Sequence, residues 1–199
     1  MVDVRVHDSA EVAADAVIGR GTSVWQYVHV REGVVIGSEC VIGRGVYVGP
    51  GVQIGDRTKI QNSALIYDPA IIGSGVFIGP AVTLTNDLYP RAVDPDGSLK
   101  RADGWTADGV TVGDGAAVGA ASVVLAGVTI GEWALVGAGS TVIRDVPAYA
   151  LVVGSPARRV GWVGRTGERL LPLPDGQWQC AATGDTFEDL GESIRLIAR

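Results

Sequence analysis

A strict six-residue hydrophobic repeat limits this chain to very few folds. From Ile18 to Leu84 every sixth residue is aliphatic, and the residue two places before each of these is small or β-branched. A helix repeats about every 3.6 residues and an ordinary strand about every two, so neither explains a period of six. The period is typical of a parallel β-helix, in which each hexapeptide forms one short strand and a turn.

The repeat also predicts how the chain stacks. Three hexapeptides close one triangular coil, so equivalent positions of successive coils lie one above the other, about 4.8 Å from coil to coil. The aliphatic residue fills the prism interior, and the small residue lies where a larger one has no room. Glycine often follows the aliphatic residue, as in Ile36-Gly37 and Ile54-Gly55, and supplies backbone angles that cost other residues free energy.

Residues 85–108 interrupt the repeat. This stretch has no six-residue pattern and is rich in acids, prolines and turn dipeptides, and the repeat resumes from Val112 to Val142. The step from Leu84 to Val112 is not a multiple of six, which indicates an insertion. Long loops in compact domains are usually functional. The predicted organisation is a β-helix over residues 1–147 with an inserted loop at 85–108, followed by a cap and extension over 148–199.

The C-terminal region is predicted to contain two helices and a hairpin. Ser155 and Pro156 suggest a helix cap and a first-turn proline, opening a short helix over 157–163. Turn-rich residues 164–186 predict a small hairpin. Residues 186–199 carry Phe187, Leu190, Ile194 and Ile197 at helical spacing, which predicts a second helix. The expected fold class is all-β, a parallel β-helix with an inserted loop and a small C-terminal helix and hairpin extension.

Composition excludes several classes of function. The net charge of −6 argues against a general nucleic-acid-binding or anionic-membrane-binding surface. No apolar run is long enough to cross a bilayer, and the first residues lack the apolar core of a signal peptide, so we expect a cytoplasmic protein. The two cysteines, Cys40 and Cys180, give neither a disulfide framework nor a metal-binding spacing.

The chain has only two histidines, His7 and His29. Val28 and Val30 face inward, so strand alternation turns His29 outward, where it is either a catalytic base or a surface residue on a packed face. Two histidines are too few for the three-histidine zinc site of hexapeptide-repeat carbonic anhydrases. The sequence also lacks a Gly-x-Ser-x-Gly elbow, so it gives no support to Ser/His/Asp chemistry.

Polar residues interrupt the repeat at three outward positions and in the inserted loop. These residues are either solvated surface with ordinary turn chemistry or parts of a binding site, and the pattern alone does not decide between the two. They are Arg31-Glu32, Gln61-Asn62 and Tyr67-Asp68, and in the loop Asn86, Asp87, Tyr89 and Arg91.

Four stretches carry a resemblance to a known family: residues 24–32, 59–62, 84–91 and 153–163. Together they resemble the hexapeptide-repeat N-acetyltransferases that act on nucleotide-linked amino sugars. The similarity is greatest to enzymes acetylating the 3-amino group of UDP-2-acetamido-3-amino-2,3-dideoxyglucuronate or of dTDP-3-amino-3,6-dideoxyhexoses. It runs from about residue 17 to 187, and the Thr-Asn-Asp…Tyr-Pro-Arg loop is its most specific part.

The resemblance implies a left-handed β-helix and a homotrimer whose three active sites lie at the seams between subunits. Acetyl-CoA would serve as co-substrate, and the inserted loop would reach towards a neighbour. Asn86 would lie beside the sugar amine and Asp87 could accept its proton. The expected nucleotide-sugar contacts are Arg31, Glu32, Gln61, Asn62, Tyr67, Asp68, Tyr89 and Arg91. The expected coenzyme contacts are Gly119, Gly137, Gly154, Ser155, Pro156, Ala157 and Arg158.

Some residues depart from the family pattern. Gln26 replaces a histidine that many relatives have, and Gly164 and Thr166 stand where relatives often have cysteines, with only Cys180 retained. We therefore predict no bound metal. The expected reaction is direct attack of the amine on the thioester. Two alternatives stay open: O-acetylation of a hydroxyl acceptor with His29 as base, and a non-catalytic module that binds sugar nucleotides.

Overall fold

A computed structural model describes residues 3–101, 104 and 106–198. Short strands, separated by tight turns, make up most of it. They are β1 Arg5–Val6, β2 Glu11–Val12, β3 Val17–Ile18, β4 Ser23–Val24, β5 His29–Val30, β6 Val35–Ile36, β7 Val41–Ile42, β8 Tyr47–Val48, β9 Gln53–Ile54, β10 Lys59–Ile60, β11 Leu65–Ile66, β12 Ile71–Ile72, β13 Phe77–Ile78, β14 Thr83–Leu84, β15 Thr111–Val112, β16 Ala117–Val118, β17 Val123–Val124, β18 Thr129–Ile130, β19 Leu135–Val136 and β20 Thr141–Val142.

These strands form three parallel sheets that are the faces of a prism. Sheet A has the order β1-β4-β7-β10-β13-β16-β19, sheet B β2-β5-β8-β11-β14-β17-β20, and sheet C β3-β6-β9-β12-β15-β18. Each strand pairs with the strand three places later, so that register partners stand one full coil apart, as in Val30↔Val48. The parallel β-helix predicted from the six-residue period is confirmed.

Two edges of the prism matter for function. The A–B edge consists of the turns that follow the strands of sheet A, at residues 25–28, 43–46, 61–64, 79–82, 119–122 and 137–140. The B–C edge consists of the turns that follow the strands of sheet B, at residues 13–16, 31–34, 49–52, 67–70 and 125–128, together with the inserted loop.

The inserted loop leaves the prism at the B–C edge. Ile72 pairs with Ile54 on the coil before it and with Val112 on the coil after it. The first of these steps covers 18 residues and the second 40, so the insertion adds 22 residues to one coil, yet the strands on either side keep the same stacking. Within the loop, Val93 and Leu99 form an antiparallel bridge. The predicted insertion is confirmed.

The prism interior is a column of aliphatic side chains with buried hydroxyls between coils. Ile42, Ile60 and Ile78 have no exposed surface. Buried Thr22 donates from Oγ1 to the Gly37 carbonyl (2.8 Å) and accepts from the Cys40 N–H (2.9 Å). A hydroxyl at the small position is therefore fully hydrogen-bonded, which explains why threonine and serine replace valine there at little cost.

The C-terminal region is built from strands. They are β21 Ala150–Gly154, β22 Ala157–Trp162, β23 Leu171–Pro172, β24 Trp178–Gln179, β25 Thr186–Asp189 and β26 Ile194–Ala198. Strand β21 continues sheet A, β22 returns antiparallel beside it, and β23 to β26 form a separate antiparallel sheet that we call the cap. The β23–β24 pair is the hairpin predicted within residues 164–186.

Both predicted helices are wrong, and the described residues contain no α-helix. Ser155 and Pro156 form the turn between β21 and β22, where Gly154 pairs with Ala157, so Ser155 caps no helix. In the second case Gly191, at φ 84°, lies in the turn that joins β25 to β26. Residues 186–189 and 194–198 pair as antiparallel strands, and the helical spacing of their apolar residues is a coincidence.

The cap closes the end of the prism. The rings of Tyr149 and Phe187 meet edge to face at 5.0 Å between centroids, and Phe187 is completely buried. Arg165, between β22 and β23, donates to the buried carboxylate of Asp185, which ties the cap to the turn that precedes it. Within residues 3–101, 104 and 106–198 no helix is long and apolar enough to cross a membrane.

Candidate functional site

The B–C edge brings together three of the polar pairs singled out in the sequence. Arg31-Glu32, Tyr67-Asp68 and Asn86-Asp87 follow strands β5, β11 and β14 of the same sheet. Leu84 pairs with Ile66 on the coil below, so Asn86 follows β14 at the root of the inserted loop, one coil further along than the Tyr67-Asp68 turn. Arg31 lies two coils below Tyr67.

Arg31 and Glu32 form a bidentate ion pair. Arg31 Nε lies 2.8 Å from Glu32 Oε2, and Nη2 lies 2.8 Å from Oε1. The hydrogen bond from Arg31 lowers the pKa of Glu32, and the same bond raises the pKa of Arg31. The pair leaves Nη1 directed at the Tyr47 hydroxyl, 3.5 Å away. A guanidinium fixed in this way presents a planar donor for a carboxylate or phosphate ligand.

Tyr47 is a site residue that the sequence reasoning missed. Its ring meets His29 edge to face at 5.7 Å and Tyr67 at 5.5 Å between centroids. His29 is half-exposed, and its Nε2 lies 3.9 Å from Glu11 Oε2. A usable signal was present in the sequence, because Tyr47 follows His29 by one full coil of the repeat and therefore stacks on it.

Asn86 and Asp87 are placed differently from each other. The backbone carbonyl of Asn86 accepts from the Asp108 N–H (3.0 Å), which closes the loop at its root. The side-chain amide of Asn86 makes no hydrogen bond to any residue that the structure describes, so it can bind a ligand. Asp87 instead accepts from the Tyr89 N–H (2.8 Å) through Oδ1 and stabilises its own turn.

The loop encloses a cavity of about 460 Å³ beside this root. Asp87, Lys100 and Asp108 are among the residues that line it. Tyr89 also lines it and is 81% exposed, whereas Arg91 donates to the carbonyl of Pro90. Among the described residues no hydrogen bond, ion pair or ring contact joins Tyr89 or Arg91 to Arg31 or Tyr67.

Gln61 and Asn62 lie on the other edge. Together with Trp25, Gln26 and Arg44 they line a groove of about 350 Å³ on the A–B edge. Asn62 Oδ1 accepts from the Arg44 N–H (3.0 Å), so part of the amide has a structural role. Sheet B separates this groove from Asn86, and the predicted nucleotide-sugar contacts therefore divide between two edges of one chain.

The predicted coenzyme contacts all lie at the C-terminal end of the A–B edge. A Cβ at Gly119 would come within 2.4 Å of the Ala138 nitrogen, so close coil stacking already requires glycine there. A Cβ at Gly137 would instead meet the side chain of Val153, at 2.7 Å from Cγ1. The remaining residues, 154–158, form the turn between β21 and β22 and the start of β22, where Ser155 Oγ donates to Thr141 Oγ1 (2.9 Å).

The cap positions that differ from the family pattern contact each other. Thr166 Oγ1 lies 3.7 Å from Cys180 Sγ, and a Cβ at Gly164 would meet the same sulfur at 2.9 Å. Among residues 3–101, 104 and 106–198 no group of three or more His, Cys, Asp or Glu side chains could hold a metal ion.

Comparison with known families agrees with this architecture. Residues 15–50, 51–86 and 109–144 match the model of the bacterial transferase hexapeptide family (six repeats). The chain belongs to this family. The residues between the last two matches, 87–108, fall in the inserted loop of this hexapeptide transferase. A search of curated proteins finds no significant match.

Solved structures with a similar fold include several acetyltransferases. A mutant of GDP-perosamine N-acetyltransferase from Caulobacter crescentus, with CoA and GDP-perosamine bound, is 27% identical, with 80% of this chain and 57% of that chain covered and a TM-score of 0.49. The acetyltransferase domain of PglB from Neisseria gonorrhoeae, with acetyl coenzyme A bound, is 19% identical, with 80% and 58% covered and a TM-score of 0.51. A Bacillus cereus protein described as a putative acetyltransferase is 21% identical, with 83% and 88% covered and a TM-score of 0.53.

The N. gonorrhoeae and B. cereus structures show the same fold as this chain and agree with the family assignment. This hexapeptide transferase spans less than two thirds of the first two of these chains, 57% and 58% of their lengths. The expectation of a hexapeptide-repeat transferase is confirmed.

Proposed function

We propose that this hexapeptide transferase moves an acetyl group from acetyl-CoA to the amino group of a nucleotide-linked amino sugar. The observation that carries the proposal is the B–C edge, where Asn86, whose side-chain amide bonds to none of the residues that the structure describes, shares an edge with Tyr67-Asp68 and the Arg31–Glu32 pair. An amide that orients an amine and a guanidinium that binds phosphate suit such an acceptor. Membership of the hexapeptide transferase family agrees with a group transfer of this kind.

The reaction needs orientation more than it needs a protein base. The lone pair of the sugar amine attacks the thioester carbonyl carbon, and the C=O electrons move to the oxygen. Collapse of this intermediate breaks the C–S bond, expels the thiolate of CoA and leaves an amide. The proton lost by nitrogen passes to water or to Asp87, and the thiolate takes up a proton. Holding both reactants in line is worth up to about 7–11 kcal/mol, and a backbone N–H stabilises the oxyanion.

The same proposal includes a trimer with composite sites. The predicted coenzyme contacts and Gln61-Asn62 lie on the A–B edge, whereas Asn86 and Arg31 lie on the B–C edge. A seam that places the A–B edge of one copy against the B–C edge of the next assembles both groups around one thioester. The exposed inserted loop then covers the seam.

The test is a thiol-release assay with acetyl-CoA and a panel of UDP-, dTDP- and GDP-linked amino sugars. Turnover with an amino sugar, and none with its hydroxyl analogue, supports N-acetylation. Asn86→Ala should lower kcat/KM by on the order of tenfold or more, with the trimer intact by light scattering. Near-normal turnover in that variant would remove Asn86 from the mechanism.

O-acetylation is a second candidate, and one observation favours it. His29 is half-exposed beside Glu11 and is held edge-on by Tyr47, which is a suitable setting for a base that activates a hydroxyl. Replacement by asparagine separates the two functions. Activity of His29→Asn collapses if a hydroxyl must be deprotonated and stays near wild type if an amine attacks directly.

A further inference from the structure

We infer that Tyr47 is the positioning residue of a clamp for nucleoside diphosphates, in which the Tyr67 ring stacks on the base and Arg31 binds the diphosphate. The inference rests on the proposed function and goes beyond it by locating the two ends of the nucleotide. Tyr47 has contacts to both parts, to Tyr67 through its ring and to Arg31 through its hydroxyl.

The aromatic part of the clamp is a short ladder along sheet B. His29 and Tyr47 are register partners on adjacent strands, and Tyr67 lies one coil further on. His29 lies at the lower end of the ladder, and Tyr67, at the edge, is 36% exposed as a residue. An exposed ring supported from behind is a stacking surface for a planar base, because every base has a π-face.

The charged part lies beside the ladder. Arg31 donates to Glu32 from Nε and Nη2, and its Nη1 faces the Tyr47 hydroxyl. The side chain of Arg31 is 37% exposed, so a diphosphate oxygen can reach it without displacing the ion pair. Glu32 fixes the plane of the guanidinium and Tyr47 fixes its far end, and a fixed guanidinium loses little entropy when it binds phosphate.

The geometry explains why a tyrosine lies at this position of the repeat. The next outward residue of the same sheet is Leu65, so the column accepts an aliphatic side chain. Leucine at residue 47 would preserve the strand and lose both the ring contact to Tyr67 and the hydroxyl contact to Arg31. Phenylalanine would lose only the hydroxyl contact. These two substitutions therefore separate the two parts of the clamp.

The experiment is calorimetric titration of the intact protein with UDP, dTDP and GDP, without acetyl-CoA. We expect at least one to bind, and Tyr67→Ala to weaken its binding by about 5- to 150-fold, the range for loss of one base–aromatic stack. Tyr47→Leu keeps the stacking ring but removes its support, so it should weaken binding less than Tyr67→Ala and more than Tyr47→Phe. Tyr47→Phe should weaken it by about two- to tenfold. The matched control is Phe77→Leu, an aromatic-to-leucine change at an exposed outward position of sheet A, and it should bind as the wild type does.

Kinetics provide a second readout that a merely structural role would not give. Tyr47→Leu should raise KM for the nucleotide sugar, because the lost contacts stabilise the bound substrate and the transition state equally. The values of kcat and of KM for acetyl-CoA should stay within about twofold of wild type. Equal affinity of Tyr47→Leu and wild type, with the fold intact by circular dichroism, would overturn the inference, as would competition by inorganic pyrophosphate as strong as that by UDP.

The outcomes also distinguish the clamp from the proposed function. Nucleotide binding that depends on Tyr47, without release of CoA thiol in the presence of any acceptor, would sustain the clamp and overturn acetyl transfer. Release of CoA thiol with an acceptor that carries no nucleotide, and no binding of UDP, dTDP or GDP, would overturn the clamp and leave acetyl transfer in place.

Discussion

The ion pair between Arg165 and Asp185 is expected to hold the cap closed over the end of the β-helix. Arg165 donates from Nε and Nη2 to Asp185 Oδ2, at 3.2 and 3.0 Å. The carboxylate is almost completely buried, with 3% of its side chain exposed, whereas 31% of the arginine side chain is exposed. Arg165→Met keeps most of the aliphatic stem and leaves a buried carboxylate without its cationic partner.

The expected cost follows from this burial. Removing one partner of a buried ion pair costs about 3–5 kcal/mol, because the remaining charge is desolvated and uncompensated. Water reaches Arg165, so we expect a value at the lower end, about 3 kcal/mol, which corresponds to an opening equilibrium about 150-fold more favourable. The double variant with Asp185→Asn should recover most of the loss, because no buried charge remains.

Amide hydrogen exchange measures this opening locally. Peptides from β23 to β26 should exchange about 150-fold faster in Arg165→Met, while peptides from the coils between β4 and β14 should be unchanged. The matched control is Arg195→Met, since Arg195 pairs with Glu188 at a surface where the two side chains are 66% and 43% exposed. Such a pair contributes about 0–1 kcal/mol. Equal cap protection in the two variants would refute the reasoning.

Three further predictions concern the prism and its edges. Thr58→Val should lower the free energy of unfolding by about 1–3 kcal/mol in urea denaturation, because Thr58 Oγ1 donates to the Gly73 carbonyl and accepts from the Val76 N–H; an unchanged midpoint would contradict it. Gly119→Ala should cost about 1–3 kcal/mol by thermal denaturation, with or without CoA, because its Cβ meets backbone of the next coil; a loss confined to CoA binding would favour the coenzyme role. Any difference in the free energy of unfolding between wild type and Glu32→Gln should be present above the ordinary carboxyl pKa of 4.5. The difference should be lost as the pH falls through the lowered pKa that Glu32 has in the folded protein. A difference that stays constant across acidic pH would exclude the ion pair as its source.

Most of the fold could be predicted from the sequence because the β-helix is a one-dimensional repeat. Each hexapeptide has the same neighbours, so the period alone specifies strand, turn and stacking. The same count assigns edges: Arg31 and Tyr67 are two coils apart on the B–C edge, whereas Gln61 belongs to the A–B edge. The prediction that placed all these polar residues in one site did not apply this count. The count also places Tyr47 one coil from His29, and the prediction did not include Tyr47.

The C-terminal region could not be predicted in the same way because it has no repeat. Phe187, Leu190, Ile194 and Ile197 fit a helical spacing, yet Phe187 lies in a strand between β24 and β26 and packs against Tyr149. The local spacing of apolar residues favours a helix there, but hydrogen-bonded pairing with strands more distant in sequence stabilises a sheet instead.

The sequence by itself determined the prism and its interruption between Leu84 and Val112, since both follow from counting along the chain. Only the tertiary structure decided that the cap is a sheet and that Tyr47 contacts Tyr67 and Arg31. It also decided that, among the residues described, the Asn86 amide makes no hydrogen bond, while Asp87 stabilises its own turn. The physical reason is that stacking in a repeat depends on sequence separation alone, whereas the direction and partners of each side chain depend on the whole set of neighbours that folding brings together.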